Sequence, residues 1–259
     1  MDFLLESIVL PLISVLFCLG FSFFLGLNGL KRPPNLGFAI GMFGLALQES
    51  SGVMFDFAPD LVHSFFWGKA LFFGEILMGG GWLIFSMTFA RVDKAAVFRK
   101  RLPLLMLYFL VLLSFLVVPL FEPSSLVAPK LNRLFVNRAG MAFFVLYLAV
   151  LVFVLMNLEQ TFRASSGMVR YQIKYLILGV GSILGLEVYR AGQVLLFSSV
   201  IIDSMPLYSA ALIICYFMIL FAVIQYRLLN VDLFVSRYVV YKSVTLLAVG
   251  GYLALVGLL

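Results

Sequence analysis

The 259-residue chain is 64% hydrophobic and only 12% charged, with a mean hydropathy of +1.14. A soluble domain is roughly 45–50% apolar and about 25% charged, and a chain of this length could not hide such an excess inside one core. The composition therefore excludes a water-soluble domain and predicts an all-α polytopic membrane protein embedded in a lipid bilayer. The net charge of +6 predicts no nucleic-acid partner, because the cations lie in short connections between apolar runs.

Eight apolar runs are long enough to cross a membrane, since a spanning helix needs about 20 residues. We predict spans over Ser7–Leu27, Asn35–Phe55, Phe65–Phe89, Leu102–Phe121, Ala139–Met156, Tyr175–Phe197, Leu207–Gln225 and Ser243–Leu259.

The connections between these runs predict the orientation of the chain. The first, third, fifth and seventh connections contain 13 of the 18 Lys and Arg residues. Because cytoplasmic loops carry the excess of Lys and Arg, we expect these four connections in the cytoplasm and the N-terminus outside. The fourth connection is an exception, with Lys130, Arg133 and Arg138. The eighth run ends outside in this topology, and we expect more protein to follow it.

A few polar side chains fall inside the predicted spans, where an ionisable group is costly and is therefore a functional hypothesis. We predict that they form a pocket that opens to the outside between the second, third and sixth helices and binds a small polar or amphiphilic signal. These residues are Glu49, Lys69, Glu75, Glu187, Arg190 and Gln193.

Two structural interpretations compete with that pocket. Glu187 and Arg190 are three residues apart, a spacing at which helical side chains meet, and Lys69 could pair with Glu49 or Glu75. The same charges would then only lock helices together. Alternatively, Lys69 and Arg190 extend to the lipid headgroups and bind nothing.

Other sequence features predict packing rather than chemistry. Gly37/Gly41, Gly79–Gly81 and Gly181/Gly185 permit close helix packing or local bending. His63 is the only histidine, which excludes a multi-histidine metal site. Hydrolase, metalloprotease and nucleotide-binding motifs do not occur in the sequence, so we expect no catalytic residue, metal or cofactor in this chain.

The chain divides into a seven-helix bundle over residues 1–226 and a final segment over 227–259 that joins a connector to the eighth span. The fifth connection, over 157–174, is interpreted as a basic loop at the headgroups. The connector, RLLNVDLFVSRYVVYK, is typical of a helix that lies in the membrane interface. Asp232, Arg237 and Tyr241 are its candidate coupling residues.

Three segments carry a family resemblance. NLEQTFR (157–163), VRYQIKYLILG (169–179) and the stretch from 228 to 259 resemble the membrane region of PrsK-type sensor histidine kinases of the PEP-CTERM/exosortase system. The resemblance implies a 7TM-type sensory input domain of a two-component system in the inner membrane of a bacterium. It also implies a homodimer that would reach a response regulator only through a kinase region beyond residue 259. A transporter or lipid-handling protein is the alternative, and it predicts a continuous water-filled path and an inverted repeat.

Reporter fusions test the predicted orientation. Alkaline phosphatase fused after residue 60 or 203 should be active, because these connections are expected outside. The same reporter fused after residue 93 or 166 should be inactive at equal protein level. Active fusions after residues 93 and 166 together with inactive fusions after residues 60 and 203 would contradict the predicted orientation.

Overall fold

The structure, a computed structural model, describes residues 2–29, 32–58, 61–89, 94–118, 120, 133–201 and 205–226. Within these residues the chain forms seven α-helices and one two-stranded sheet. The elements are α1 (Asp2–Gly29), α2 (Pro33–Asp56), α3 (Leu61–Thr88), α4 (Lys94–Phe115), β1 (Arg133–Phe135), α5 (Arg138–Ala164), α6 (Gly167–Phe197), β2 (Ser199–Ile201) and α7 (Met205–Tyr226).

The helices have the length and composition of membrane spans. Six of those described, all except α4, are long and apolar enough to cross a bilayer, while the apolar part of α4 covers only Leu102–Phe115. The predicted all-α, multi-pass membrane protein is therefore confirmed. The eighth span, and with it Asp232, Arg237 and Tyr241, lies outside the described residues. The count of eight spans and the external N-terminus stay predictions.

The fifth connection differs from the predicted loop over 157–174. α5 continues to Ala164 and α6 begins at Gly167, so that the break between them is Ser165–Ser166. Hydropathy detects only the part of a helix that lies in lipid, whereas this polar stretch consists largely of good helix formers. Glu159 and Arg163 add an ion pair one turn apart at 2.5 Å.

The bundle has two distinguishable ends, because consecutive helices run in alternating directions. At the sheet end, β1 pairs antiparallel with β2 and places Arg133 opposite Ile201. The backbone N–H of Asn137 donates to Leu120 O at 3.1 Å, which holds the end of α4 against the start of α5. We call the opposite end, where α1, α3, α5 and α7 terminate, the basic end.

α3 is the central helix. Its candidate span is 83% buried inside the protein, against 28% for that of α1. α3 packs on α2, α4 and α5, and the ring closes through α6 and α7 back to α1. α1 and α5 consequently present much of their surface outward, as expected of helices that face lipid.

Glycines bring the backbones of α2 and α3 into direct contact. A Cβ atom added to Gly44 would lie 2.3 Å from the backbone N of Met78, and one added to Gly81 would lie 2.2 Å from that of Gly41. In contrast, a Cβ added to Gly181 or Gly185 would meet no atom within 4 Å. Close packing is therefore found for Gly81 and Gly41, whereas the α6 pair makes no such contact with the part of the chain that the structure describes.

Substitution of Gly81 tests this interface. We expect Gly81→Ala to lower the free energy of unfolding by about 1–3 kcal/mol, because the added methyl group meets backbone that cannot rotate away. Gly185→Ala is the matched control and should be neutral or slightly stabilising. Unfolding in mixed detergent micelles measures both; equal stability of the two variants would contradict the contact.

Candidate functional site

A cluster of buried polar side chains lies between α2, α3, α5, α6 and α7, from mid-bundle towards the sheet end. Gln48, Glu49, Glu75 and Glu187 are each at most 2% exposed. Together with four neighbouring side chains they form what we call the polar cluster: Gln48, Glu49, Glu75, Tyr147, Glu187, Arg190, Tyr208 and Ser209.

Arg190 joins two carboxylates on different helices. Its Nη2 atom donates to Glu75 Oε1 of α3 at 2.6 Å and to Glu187 Oε2, one turn earlier on α6, at 3.0 Å. Nε adds a second bond to Glu187 at 3.3 Å. Charge-assisted bonds of this kind are the strong ones in proteins, and this pair of bonds connects α6 to the central helix.

Glu187 also receives hydrogen bonds from three further helices. Gln48 Nε2 of α2 donates to Oε1 at 2.9 Å, and the Tyr147 hydroxyl of α5 donates to Oε2 at 3.3 Å. The hydroxyl of Tyr208 on α7 donates to Oε1 as well. One carboxylate thus holds four helices, including its own, in register.

Glu49 has a different environment. Its Oε1 accepts from the Ser209 hydroxyl of α7 at 3.1 Å. None of the ion pairs found among the described residues includes Glu49. It is therefore a buried carboxyl group held by a hydroxyl group rather than by a cation.

Several atoms of the polar cluster have no hydrogen-bond partner among the described residues. They are Gln48 Oε1, Glu49 Oε2, Glu75 Oε2 and Arg190 Nη1. The orientation of the Gln48 amide follows from chemistry, because Glu187 accepts and the amide nitrogen must face it. A buried polar atom without a partner costs free energy, so these atoms mark where a further polar group is accommodated.

A cavity of about 240 Å³ adjoins three of these four side chains. It lies at the sheet end between α2, α6, β2 and α7, and the exposed residues Tyr189 and Leu207 border it. Its polar lining includes Gln48, Glu49, Arg190, Gln193, Ser199 and Tyr208.

The structure brings together most of the residues predicted from the sequence. Glu75, Glu187 and Arg190 form ion pairs, and Glu49, Arg190 and Gln193 line the cavity. Lys69 is separate, since its Nζ lies 4.8 Å from the ring centroid of Phe65 on its own helix. The sequence predicted a pocket between α2, α3 and α6. In the structure α7, rather than α3, forms the third helical wall of the cavity.

Sequence reasoning missed Tyr147, Tyr208 and Ser209. Aromatic and hydroxyl side chains are common in membrane helices and cost little there, so a search for ionisable residues passes over them. A buried tyrosine hydroxyl nevertheless needs a partner, and this requirement is the signal that could have suggested Tyr147 in mid-span.

The polar cluster is suited to binding rather than to holding a metal. Within the described residues no group of three or more His, Cys, Asp or Glu side chains is arranged to hold a metal ion. Two of its carboxylates are occupied by the guanidinium of Arg190. The cluster atoms that remain without a partner among the described residues are three acceptors and one donor. They are Gln48 Oε1, Glu49 Oε2, Glu75 Oε2 and Arg190 Nη1.

Comparisons with known proteins identify no relative: no protein family, no curated protein and no solved structure matches this chain.

Removal of Arg190 tests the electrostatic core of the site. Arg190→Gln leaves two buried carboxylates without their cation, and we expect a loss of about 3–5 kcal/mol in the free energy of unfolding. The control is Arg163→Gln, which breaks the exposed pair with Glu159 and should have little effect. Detergent-induced unfolding of the purified variants measures both.

The double variant Glu75→Gln/Arg190→Gln should regain part of the lost free energy of unfolding, because it removes one of the two uncompensated charges. If Arg190→Gln is no less stable than Arg163→Gln, the buried triad does not stabilise the bundle.

Proposed function

We propose that this protein is a membrane-embedded sensory input domain that binds a small polar or amphiphilic signal in the cavity at the sheet end. The observation that carries the proposal is the set of unpaired buried atoms around that cavity. Gln48 Oε1, Glu49 Oε2 and Arg190 Nη1 all belong to side chains that line it. In a purely structural cluster we would expect each of these atoms to have a hydrogen-bond partner in the protein.

The arrangement also supports a route by which binding changes helix packing. Arg190 and Tyr208 line the cavity and hydrogen-bond to Glu187, which holds α2, α5 and α7 against α6. An occupant that competes for either side chain would alter the balance among these bonds. α7 then leads towards the segment that contains Asp232, Arg237 and Tyr241, the candidate coupling residues.

The output is proposed from the resemblance of the segments after Asn157 to sensor histidine kinases. On that basis the protein acts as a homodimer in a bacterial inner membrane and controls a kinase region that phosphorylates a response regulator. The cavity supports a sensor equally well for any output, so the kinase remains the more specific part of the proposal.

Packing towards the basic end favours a sensor over a transporter. Below the polar cluster, Trp82 and Phe85 of α3 pack on Phe38 of α2, with ring centroids 5.2–5.8 Å apart. The direct backbone contact of Gly81 with Gly41 lies at the same level. A water-filled path between α2 and α3 would require this layer to separate, whereas a sensor needs access from one end only.

A cavity-filling variant tests the function in the full-length protein. Ala211 lines the cavity, and Ala211→Phe should change autophosphorylation in membrane vesicles at least about fivefold, the lower range of allosteric coupling. The matched control is Ala142→Phe on the exposed face of α5. It makes the same change towards lipid and should leave the activity unaltered.

Both variants must reach the same level in the membrane. Wild-type autophosphorylation in the Ala211→Phe protein would contradict signalling through the cavity. Absence of autophosphorylation in the wild-type full-length protein would contradict the kinase output while leaving the sensor to be tested by binding.

A further inference from the structure

The polar cluster contains more negative than positive side chains. Glu49, Glu75 and Glu187 are buried carboxyl groups, and Arg190 is the cation that pairs with Glu75 and Glu187 among the described residues. Lys69 lies against Phe65 rather than against the cluster. If all four groups are ionised, three carboxylates face one guanidinium.

The imbalance is concentrated at Glu49. Arg190 is engaged by Glu75 and Glu187, whereas Glu49 is held through one oxygen by the Ser209 hydroxyl. Its other oxygen, Oε2, is unpaired, and the residue is 2% exposed and lines the cavity. An isolated buried carboxylate is strongly unfavourable, so Glu49 is stable there when it carries a proton or when a positive group in the cavity pairs with it.

A second acceptor belongs to the preceding residue. Gln48 Oε1 is unpaired, and Gln48 also lines the cavity. An ammonium group has three N–H donors and no acceptor, which complements a lining that contains a carboxyl group and an amide oxygen. The rings of Tyr189 and Tyr208 line the same space, and aromatic faces attract organic cations.

The rest of the lining is mixed. Three polar residues, Arg190, Gln193 and Ser199, lie beside an apolar wall formed by Leu186, Val194, Val200, Met205, Leu207 and Ala211. The volume of about 240 Å³ corresponds to roughly eight water molecules in the liquid. A ligand of matching chemistry has a charged head and a short hydrocarbon or aromatic body.

Two other ligand classes fit less well. An anion could approach Arg190 Nη1, but it would enter a cluster in which three carboxyl groups outnumber one guanidinium, and Glu49 also lines the cavity. Mg²⁺ and Ca²⁺ prefer six or more oxygen ligands, and the described residues offer no metal-binding group of three.

We propose that the cavity binds an organic cation, a primary or secondary ammonium with an apolar body, through Glu49 and Gln48. This inference rests on the proposed function of the cavity and specifies the charge of its ligand.

Three probes of nearly equal size and different charge test the inference. Phenethylammonium, 2-phenylethanol and phenylacetate are titrated by calorimetry into the full chain in nanodiscs of zwitterionic lipid, with empty nanodiscs as the blank. We expect phenethylammonium to bind at least tenfold more tightly than 2-phenylethanol, and phenylacetate to bind most weakly. This comparison uses the unaltered protein and does not depend on the folding of any variant.

Variants then locate the charge. Glu49→Gln, which keeps the shape and removes the charge, should weaken phenethylammonium at least tenfold and change the affinity for 2-phenylethanol less than threefold. Glu159→Gln makes the same change at an exposed site on α5 and should leave both affinities unaltered. Selective weakening in Glu49→Gln alone supports the assignment.

A wrong ligand charge, a wrong partner residue and a cavity that binds nothing give different results. If phenylacetate or 2-phenylethanol binds as tightly as phenethylammonium or more tightly, the cationic class is overturned and the cavity remains a ligand site. If phenethylammonium binds and Glu49→Gln does not weaken it, Glu49 is not its partner and the inference fails. If none of the three binds, the inference and the binding function of the cavity fall together.

Discussion

The carboxylate of Glu187 is the point at which the bundle is joined across its centre. It accepts hydrogen bonds from Gln48 of α2, Tyr147 of α5 and Tyr208 of α7, and it pairs with Arg190 of its own helix. Arg190 extends the network to Glu75 of α3. In a membrane, where apolar contacts between helices gain little over contacts with lipid, such polar bonds and close backbone packing specify which helices meet. In this bundle, close backbone packing and polar hydrogen bonds join different pairs of helices.

Close backbone packing holds α2 to α3. The approach of Gly81 to Gly41 and of Gly44 to Met78 requires the absence of side chains at the contact. The polar bonds hold α6 and α7 to this central pair. The cavity lies on the side of the bundle that the polar bonds join, between α2, α6, β2 and α7.

The same network explains why the cavity has unpaired groups. Glu187 has several donors competing for two oxygens, while Glu49 and Gln48 each keep an acceptor without a protein donor among the described residues. A bundle selected for stability alone would pair or remove these groups, because burial without a partner is costly. Four of the eight buried atoms without a partner among the described residues belong to side chains that line the cavity, and this grouping supports the proposed sensing role. The other four, among them Trp82 Nε1 and Asn157 Nδ2, lie elsewhere in the bundle.

The sequence by itself determined that the protein is a multi-pass membrane protein, that its fold is all-α and which ionisable residues lie inside the apolar runs. These follow from local properties: long apolar runs need lipid, and Glu75, Glu187 or Arg190 inside such a run needs a partner. Helix spacing alone also predicted that Glu187 and Arg190 meet. The extent of α5 and α6 was not predictable from hydropathy, since their polar ends are helical outside the apolar stretch.

Only the tertiary structure decided the partners. Glu75 pairs with Arg190, 115 positions away, rather than with Lys69 on its own helix. Tyr147 and Tyr208 join the cluster because α5 and α7 turn those faces inward, which depends on helix packing and not on the residues themselves. The charge imbalance at Glu49 likewise appears only when the bundle is assembled. It is a property of the neighbours that surround the carboxyl group, and no local pattern in the chain encodes that set.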